Sequence, residues 1–265
     1  MNTLLPFLMA GDPSLEALPP LLGEAHALGI EAMELGLPHS DPIADGPVLQ
    51  AAAQRAAQRG VTPRRVLDAL AGVEASPDLI LFTYLNPLLQ IGAGDLIRLL
   101  KPTPVKALLV VDLPFGEEPA FETALRDAGY PLVPLLAPTT DLARAKALLA
   151  ERPDPGEGHP FAQRFAYVVA RLGVTGQGGT DLGTVESRVE ELKRVTTRPL
   201  AVGFGLSDPA SLDAVRTMGA TPVIGSALVK ELAEGADLRA TLGPRLGAMP
   251  RAADAPSPDV EGADS

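Results

Sequence analysis

Short apolar runs alternate along this chain with longer segments in which apolar residues recur every three or four positions. The short runs have the length and the flanking Gly, Pro, Asp and Ser of buried strands, and the longer segments have the period of amphipathic helices. The predicted strands are Leu4 to Met9, Ala32 to Leu37, Leu79 to Tyr84, Ala107 to Val111, Leu132 to Leu136, Phe165 to Ala170, Leu200 to Gly203 and Pro222 to Ile224. The predicted helices are Leu15 to Leu28, Val48 to Arg59, Pro63 to Gly72, Asp95 to Leu100, Glu117 to Ala128, Asp141 to Ala150, Val185 to Val195, Pro209 to Met218, Ala227 to Ala233 and Leu238 to Leu246.

Eight successive strand-then-helix units predict an α/β fold, a single-domain (β/α)8 TIM barrel, because closure of such a barrel needs that number of strands. A doubly wound open sheet is the alternative, although it normally uses fewer strands. We expect residues 1–250 to form the catalytic domain and residues 251–265 to form an acidic, disordered tail, since this segment has no periodic apolar face. The stretch Pro153 to Pro160 joins a helix to a strand, so we expect a loop on the face away from the chemistry.

The composition narrows the function. A net charge of -11 without a Lys/Arg cluster argues against a nucleic-acid partner. The chain has no cysteine, which excludes disulfides, thiol catalysis and thiolate zinc sites. No signal peptide is recognisable, and no run approaches the roughly 20 apolar residues of a membrane span. These features predict a soluble cytoplasmic enzyme.

Glu34 is a carboxylate inside a short apolar run, between Met33 and Leu35. Alternation along a strand places Glu34 on one face with Ala32, so the acid faces the barrel interior while the bulkier pair packs under the helices. Barrels of this kind build their active sites where the strands end. Burial there would raise the pKa of Glu34 toward neutrality, as a general acid/base requires. The alternative is a charged side chain that points to solvent.

Two more carboxylates follow in the turn after this strand. Asp41 precedes Pro42, a pair typical of a turn, and a turn role is favoured for it. Asp45 precedes Gly46 and a predicted helix. It is therefore either an N-terminal cap or a second functional acid beside Glu34.

Glycine-rich turns follow the last three predicted strands: Gly173 to Gly179, Gly203 to Pro209, and Gly225 to Ala227. The second and third open helices, and main-chain amides at helix starts can hold a phosphate dianion without lysine or arginine. The first is a candidate flap. Together they predict a phosphate site spread over three loops.

An apolar pocket is expected beside these groups. Tyr167 shares a strand face with Phe165 and Val169, so it is either a core residue or a substrate contact. Further pocket candidates, chosen on position alone, are Phe7, Tyr84, Leu109 and Phe204.

Other mechanisms lack their residues in this sequence. A Schiff-base aldolase needs a lysine at a strand end, whereas the lysines here lie in helices, near helix ends or before a strand. A metal aldolase needs clustered histidines, and His26, His39 and His159 fall in unrelated places. We therefore predict no metal and no nucleotide cofactor, and proton transfer by carboxylates on a phosphorylated, partly apolar substrate.

The chain resembles the tryptophan synthase alpha chain family from Leu4 to about Leu246. The matching motifs are Pro6-Phe7 with Gly11-Asp12-Pro13, Glu34-Leu35-Gly36 with Ser40-Asp41-Pro42 and Ala44 to Pro47, Tyr84 with Asn86-Pro87, Asp112-Leu113-Pro114, Gly173 to Gly176, Gly203 to Gly205, and Gly225 to Ala227. The resemblance implies a lyase of tryptophan biosynthesis that cleaves indole-3-glycerol phosphate to indole and glyceraldehyde 3-phosphate without a cofactor.

The resemblance also implies residue roles. Glu34 would exchange protons with indole C3 and the glycerol hydroxyl, and Asp45 would bind the indole N–H. Tyr167 would pack beside Glu34, and Thr175 would order the flap. The implied phosphate cradle is Gly176, Gly205, Gly225 and Ser226, and the implied indole sandwich is Phe7, Leu109 and Phe204.

The implied partner is a tryptophan synthase beta chain that carries pyridoxal phosphate, in an αββα heterotetramer that channels indole. We expect it to dock on the face bearing Asp41 to Pro47, Asn86 and Pro114. The chain departs from the family at His39, where Phe or Tyr is usual, and we expect this change to leave the acids unaffected. Only Met1 to Thr3 precede the first strand, where the family has a helix that closes the barrel bottom.

Two other functions stay open at this point. Another phosphate-binding barrel, such as an isomerase, would share the glycine-rich loops but not the acid pair. A non-catalytic regulatory subunit that binds phosphate would not need Glu34 and Asp45 together.

Overall fold

A computed structural model describes residues 4–170, 182–203 and 205–246 of the chain. The strands are β1 (Leu5–Met9), β2 (Ala32–Gly36), β3 (Asp78–Thr83), β4 (Val105–Val110), β5 (Leu135–Leu136), β6 (Ala166–Val169), β7 (Leu200–Gly203) and β8 (Thr221–Ile224). The helices are α1 (Leu18–Ala27), α2 (Pro47–Gln58), α3 (Pro63–Leu70), α4 (Leu85–Ile91), α5 (Ala93–Leu100), α6 (Pro119–Asp127), α7 (Leu142–Glu151), α8 (Phe161–Arg164), α9 (Leu182–Lys193), α10 (Pro209–Thr217), α11 (Ser226–Ala233) and α12 (Leu238–Leu242). Each predicted strand is present, with ends that shift by up to three residues.

The strands form one parallel sheet in the order β4-β3-β2-β1-β8-β7-β6-β5. Its two ends meet because Leu108 of β4 pairs in parallel with Leu132, shortly before β5. The amide of Val133 donates to the carbonyl of Leu108 at 2.8 Å. The sheet therefore closes on itself, which confirms the (β/α)8 barrel and excludes the open doubly wound sheet.

The fifth strand is shorter than predicted, two residues instead of the expected run from Leu132 to Leu136. Pro134 lies in the middle of that run and has no amide hydrogen to donate. Its carbonyl still accepts a hydrogen bond from the amide of Tyr167 at 2.8 Å. The ladder is interrupted on one side only, so the segment stays in the barrel wall.

Two short helices, α4 and α8, were not predicted. Pro87 indicates a turn in the sequence, but it lies in the first turn of α4, where a helix tolerates proline. The first residue of α4 is held by a side chain from another part of the chain, since the Leu85 amide donates to Asp112 Oδ1 at 2.7 Å. The α8 helix is a single turn at the end of the predicted Pro153 to Pro160 loop. No helix within the described ranges is long and apolar enough to cross a membrane.

The core has two layers, which follow from alternation along the strands. Met33 and Leu35 of β2 belong to the outer layer between strands and helices, whereas Ala32 belongs to the inner layer that fills the barrel. The inner layer also contains Phe7, Leu109 and other side chains from β1, β3, β4, β6, β7 and β8. Glu34, two residues after Ala32, therefore lies on the face that points into the barrel.

Candidate active site

Glu34 lies on β2, which pairs with β1 on one side and with β3 on the other. Its backbone is in register with Phe7 of β1 and with Ile80 of β3. The residue is 1% exposed, and its Oε1 atom has no hydrogen-bond partner. Burial raises the pKa of Glu34 to about 8. The acid is therefore mainly protonated at neutral pH, and one oxygen is available to a bound molecule.

Asp45 is the second buried carboxylate and is 3% exposed. Helix α2 begins at Pro47 with Gly46 as its N-cap residue, so Asp45 lies one position too early for the capping role. Its carbonyl accepts from Gln50 Nε2 at 2.9 Å, which anchors its main chain to the first turn of the helix. The side-chain Oδ1 atom is buried without a hydrogen-bond partner. A buried carboxylate that caps nothing is a candidate for binding a ligand donor.

Tyr84 connects the Asp45 loop to β3. Its hydroxyl accepts from the amide of Ala44 at 3.0 Å and hydrogen-bonds the Asp45 side chain. Burial raises the pKa of Asp45 to about 6, and the Tyr84 hydrogen bond opposes that rise. His39 stacks on the Tyr84 ring with centroids 4.9 Å apart. Tyr84 alone therefore separates Asp45 from His39, the residue at which this chain differs from the usual Phe or Tyr. This is closer to the acids than the sequence suggested.

Tyr167 stands on β6 across the barrel from these acids and is 3% exposed. Its pKa is raised well above 10, first by burial and then by the charges of Glu34 and Asp45. Both carboxylates therefore lie within electrostatic reach of one phenol. A β-carbon added at Gly203 would lie 1.8 Å from the Tyr167 hydroxyl oxygen, so this ring occupies the space that glycine leaves open.

A cavity of about 250 Å³ opens beside Glu34 at the carboxyl ends of the strands. Its lining residues are Phe7, Glu34, Val48, Leu49, Phe82, Tyr167, Gly205, Leu206, Ser207, Val223, Gly225, Ser226, Ala227 and Lys230. Phe7 and Phe82 meet edge to face, with ring centroids 5.4 Å apart and planes at 90°. The cavity thus joins an acid, two perpendicular aromatic rings and two glycine-containing loops.

The two glycine-containing loops differ in what they offer an anion. Gly205 has a φ of +86°, a backbone conformation that favours glycine. A β-carbon at Gly225 would meet nothing nearer than 3.6 Å, so packing does not require glycine at this position. Because glycine has no side chain, it leaves this part of the cavity open. Gly225 precedes α11, whose first amides have no acceptor within the helix.

The start of α10 is less available than predicted. Asp208 caps this helix by accepting from the amide of Ser211 at 3.0 Å. A carboxylate already satisfies this amide, and its charge opposes a phosphate at the same place. The structure therefore favours the Gly205 loop and the start of α11 as the anion site.

The structure brings most of the predicted site residues together and separates a few. The predicted residues that line the cavity are Glu34, Phe7, Tyr167, Gly205, Gly225 and Ser226. Asp45 and Tyr84 lie beside each other without lining it, and Leu109 is fully buried in the inner core. Asp41 is exposed on the outer surface, in agreement with a turn role.

Some predicted residues lie outside the described part of the chain. They are Thr175, Gly176, Phe204, the remainder of the Gly173 to Gly179 flap, and the tail 251–265.

Five lining residues lie outside every site motif predicted from the sequence: Val48, Leu49, Phe82, Val223 and Lys230. Phe82 was accessible to the same reasoning as Glu34, because it follows Ile80 by two residues and so faces the barrel interior. Within the ranges that the structure describes, no group of three or more His, Asp or Glu side chains could hold a metal ion.

The sequence model of the tryptophan synthase alpha chain family matches residues 1–253. This chain belongs to the tryptophan synthase alpha chain family. The alpha chain of a Synechococcus species is 41% identical over 233 residues, which cover 87% of this chain and 83% of that relative. The alpha chain of a Synechocystis species is 41% identical over 236 residues, covering 88% and 85% of the two chains.

Solved structures of the same family share the barrel of this alpha chain. A chain of the tryptophan synthase complex from Pyrococcus furiosus superposes with a TM-score of 0.77 at 30% identity, covering 92% of this chain and 97% of that one. A chain of Mycobacterium tuberculosis tryptophan synthase superposes with a TM-score of 0.80 at 28% identity, covering 92% and 90%. The fold and the family predicted from the sequence are confirmed.

Proposed function

We propose that this alpha chain cleaves indole-3-glycerol phosphate to indole and glyceraldehyde 3-phosphate by a retro-aldol reaction, the alpha step of tryptophan biosynthesis. One observation carries the proposal: the buried carboxyl group of Glu34, whose Oε1 atom has no hydrogen-bond partner, lines the same cavity as the Gly205 loop and the start of α11. An acid and an anion site that line one cavity with apolar walls fit an indole ring joined to a phosphorylated chain.

Glu34 is proposed to move both protons of the reaction. Its neutral carboxyl group donates a proton to indole C3, which leaves an indolenine cation and a Glu34 carboxylate. The carboxylate then takes the proton of the hydroxyl on the carbon bonded to C3. The C–C bond breaks, its electron pair neutralises the indolenine, and the former hydroxyl becomes the aldehyde. Glu34 ends protonated as it began, so this chain needs no cofactor of its own.

Asp45 is proposed to accept a hydrogen bond from the indole N–H. As a carboxylate it stabilises the positive charge that develops on the ring during protonation at C3. The aromatic pair of Phe7 and Phe82 is placed to hold the flat ring, and Tyr167 packs beside Glu34. Gly205, Gly225 and Ser226 are proposed to bind the phosphate. Three further residues with proposed roles lie outside the described part of the chain. Gly176 would complete the phosphate site, Thr175 would order the flap, and Phe204 would cover the indole together with Leu109.

The proposal is tested by incubating the purified full chain with indole-3-glycerol phosphate and measuring released indole. A non-catalytic phosphate-binding subunit would release none, and a barrel isomerase would convert the substrate without indole. The cognate beta chain is included in a parallel reaction, because alpha chains of this family are expected to be slow alone.

The pH dependence of kcat/KM is expected to be bell-shaped. The reaction needs Asp45 ionised and Glu34 protonated, and the pKa values of about 6 and about 8 leave a window between them. Asp45→Asn should reduce kcat/KM by about tenfold to a hundredfold and remove the acid limb of the profile, since an amide does not titrate. A variant that keeps the acid limb would contradict the role of Asp45.

The partner of this alpha chain is the tryptophan synthase beta chain, which supplies pyridoxal phosphate in an αββα assembly. The proposed docking surface is formed by the segments that follow β2, β3 and β4, which bear Asp41 to Pro47, Asn86 and Pro114. Three large apolar side chains of these segments are exposed: Ile43 at 68%, Leu89 of α4 at 43% and Phe115 at 41%. Apolar groups exposed at one end of a barrel are typical of an interface. The site of action is proposed to be the cytoplasm.

Ile43→Asp is expected to weaken the complex at least tenfold, because a buried apolar contact is replaced by an unpaired charge. Size-exclusion chromatography with the cognate beta chain at micromolar concentrations measures the loss. Ala236→Asp is the matched control, since Ala236 is exposed in the turn after α11 at the opposite end of the barrel. Equal complex formation by both variants would remove the docking surface from these segments.

A further inference from the structure

Lys230 is a cavity residue that neither the predicted site nor the proposed mechanism uses. It lies on α11, one helical turn after Ser226, and it lines the cavity together with Gly205, Gly225 and Ser226. Its ammonium group lies on the C-terminal side, 3.9 Å from Glu234 Oε1. The flexible four-carbon stem of a lysine allows this group to turn toward the start of α11.

Lys230 is the one basic side chain among the cavity-lining residues of the described chain. Among the lining residues of the described chain, only Glu34 and Lys230 are of ionisable acidic or basic type, and Glu34 is mainly protonated at neutral pH. The whole chain carries a net charge of -11, which repels a phosphate ester at long range. A single ammonium group at the cavity therefore has a large share in attracting such a ligand.

The existing partner of Lys230 is weakly held. Lys230 Nζ lies 3.9 Å from Glu234 Oε1, and the two side chains are 63% and 65% exposed. Exposed pairs of this kind contribute little, and Lys before Glu along a helix is the less favourable order. The neighbouring acid Glu231 is already paired with Arg245 at 2.7 Å. Exchange of Glu234 for a phosphate oxygen would thus cost Lys230 little.

We propose that Lys230 is a specificity residue that binds the phosphate group of the substrate and competes for it with Glu234. The inference rests on the proposed function, because it assigns a further contact within the same site. Lys230 adds a point charge to the directional main-chain amides of the Gly205 loop and α11. Its contribution is selective for the phosphorylated half of the ligand and leaves the indole half untouched.

The test compares two ligands of the full chain: inorganic phosphate, which carries only the anion, and indole, which carries only the ring. Lys230→Gln should weaken phosphate binding and raise KM for indole-3-glycerol phosphate by about fivefold to tenfold, which is the size of one charge pair near water. Indole binding and kcat should stay within twofold. The difference between wild type and variant should shrink as salt rises, because the contact is partly exposed.

Three variants make the outcome decisive. Lys230→Arg keeps the charge and should retain most of the phosphate affinity, whereas Glu234→Gln frees Lys230 and should tighten phosphate binding by about twofold or more. Lys146→Gln, which removes an exposed lysine from α7, should change neither ligand. Unchanged phosphate affinity in Lys230→Gln, or equal loss of phosphate and indole binding, would overturn the proposal. Phosphate binding is measured without turnover, so this result stands apart from failure of the chain to release indole.

Discussion

Glu34→Gln is expected to lower kcat for indole release by about 10² to 10⁴, the usual contribution of a general acid/base. Glutamine keeps the shape and burial of the side chain, but it can neither donate a proton to indole C3 nor accept one from the hydroxyl. Substrate affinity should stay within a few fold, because the phosphate and the ring are bound by other residues. Steady-state kinetics of indole release, with ligand binding measured separately, distinguishes the two effects.

Glu186→Gln is the matched control, because Glu186 is an exposed acid on α9. It should retain wild-type kinetics. Near-wild-type turnover by Glu34→Gln would remove Glu34 from the reaction and with it the proposed mechanism.

The Glu34→Gln variant should also gain stability relative to the wild type as the pH rises from about 4.5 to about 8. The pKa of Glu34 is raised by burial from 4.5 to about 8, so the folded chain holds a proton that the unfolded chain releases above pH 4.5. The wild type therefore loses stability as pH rises from about 4.5 to about 8, and glutamine does not. In thermal unfolding, the stability of Glu34→Gln relative to the wild type should increase across this pH range. A stability difference that does not change with pH would contradict a buried, neutral Glu34.

The barrel and the direction of Glu34 could both be predicted, because they depend on periodicity alone. A period of two along Ala32 to Leu35 fixes which side chains point inward once the strand is paired on both edges. The end effects were harder to predict. Pro134 shortens β5 and Pro87 lies inside α4, because the meaning of a proline depends on whether its missing donor was needed.

Parts of the site that depend on closure of the barrel could not be predicted from the sequence. Whether Asp45 caps α2 or faces a ligand is decided by a single residue, since the helix begins at Pro47 after Gly46. The sequence identifies Lys230 only as one of the lysines in a predicted helix, and the packing of α11 against β1 and α2 places it at the cavity. Such positions follow from three-dimensional neighbours that no local pattern encodes.

Gly203→Ala is expected to destabilise the chain by about 1–3 kcal/mol, the usual cost of overpacking a core. The added β-carbon would lie 1.8 Å from the Tyr167 hydroxyl oxygen and 2.4 Å from its Cζ atom. Gly203 pairs in register with Val169 of β6, so the strand cannot move away without breaking the ladder. Tyr167 must instead leave its place in the cavity lining, which should also reduce kcat/KM at least tenfold.

Gly94→Ala is the matched control, because Gly94 is an exposed residue of α5 where an added β-carbon meets nothing within 4 Å. It should be neutral or stabilise by about 0.5–1 kcal/mol, since alanine restricts the unfolded chain more than glycine does. Tyr167→Ala removes the atoms that collide, so Gly203→Ala should cost less in that background than in the wild type. Thermal unfolding of the four chains of this double-mutant cycle measures the coupling, and strict additivity would show that Gly203 and Tyr167 do not share the space.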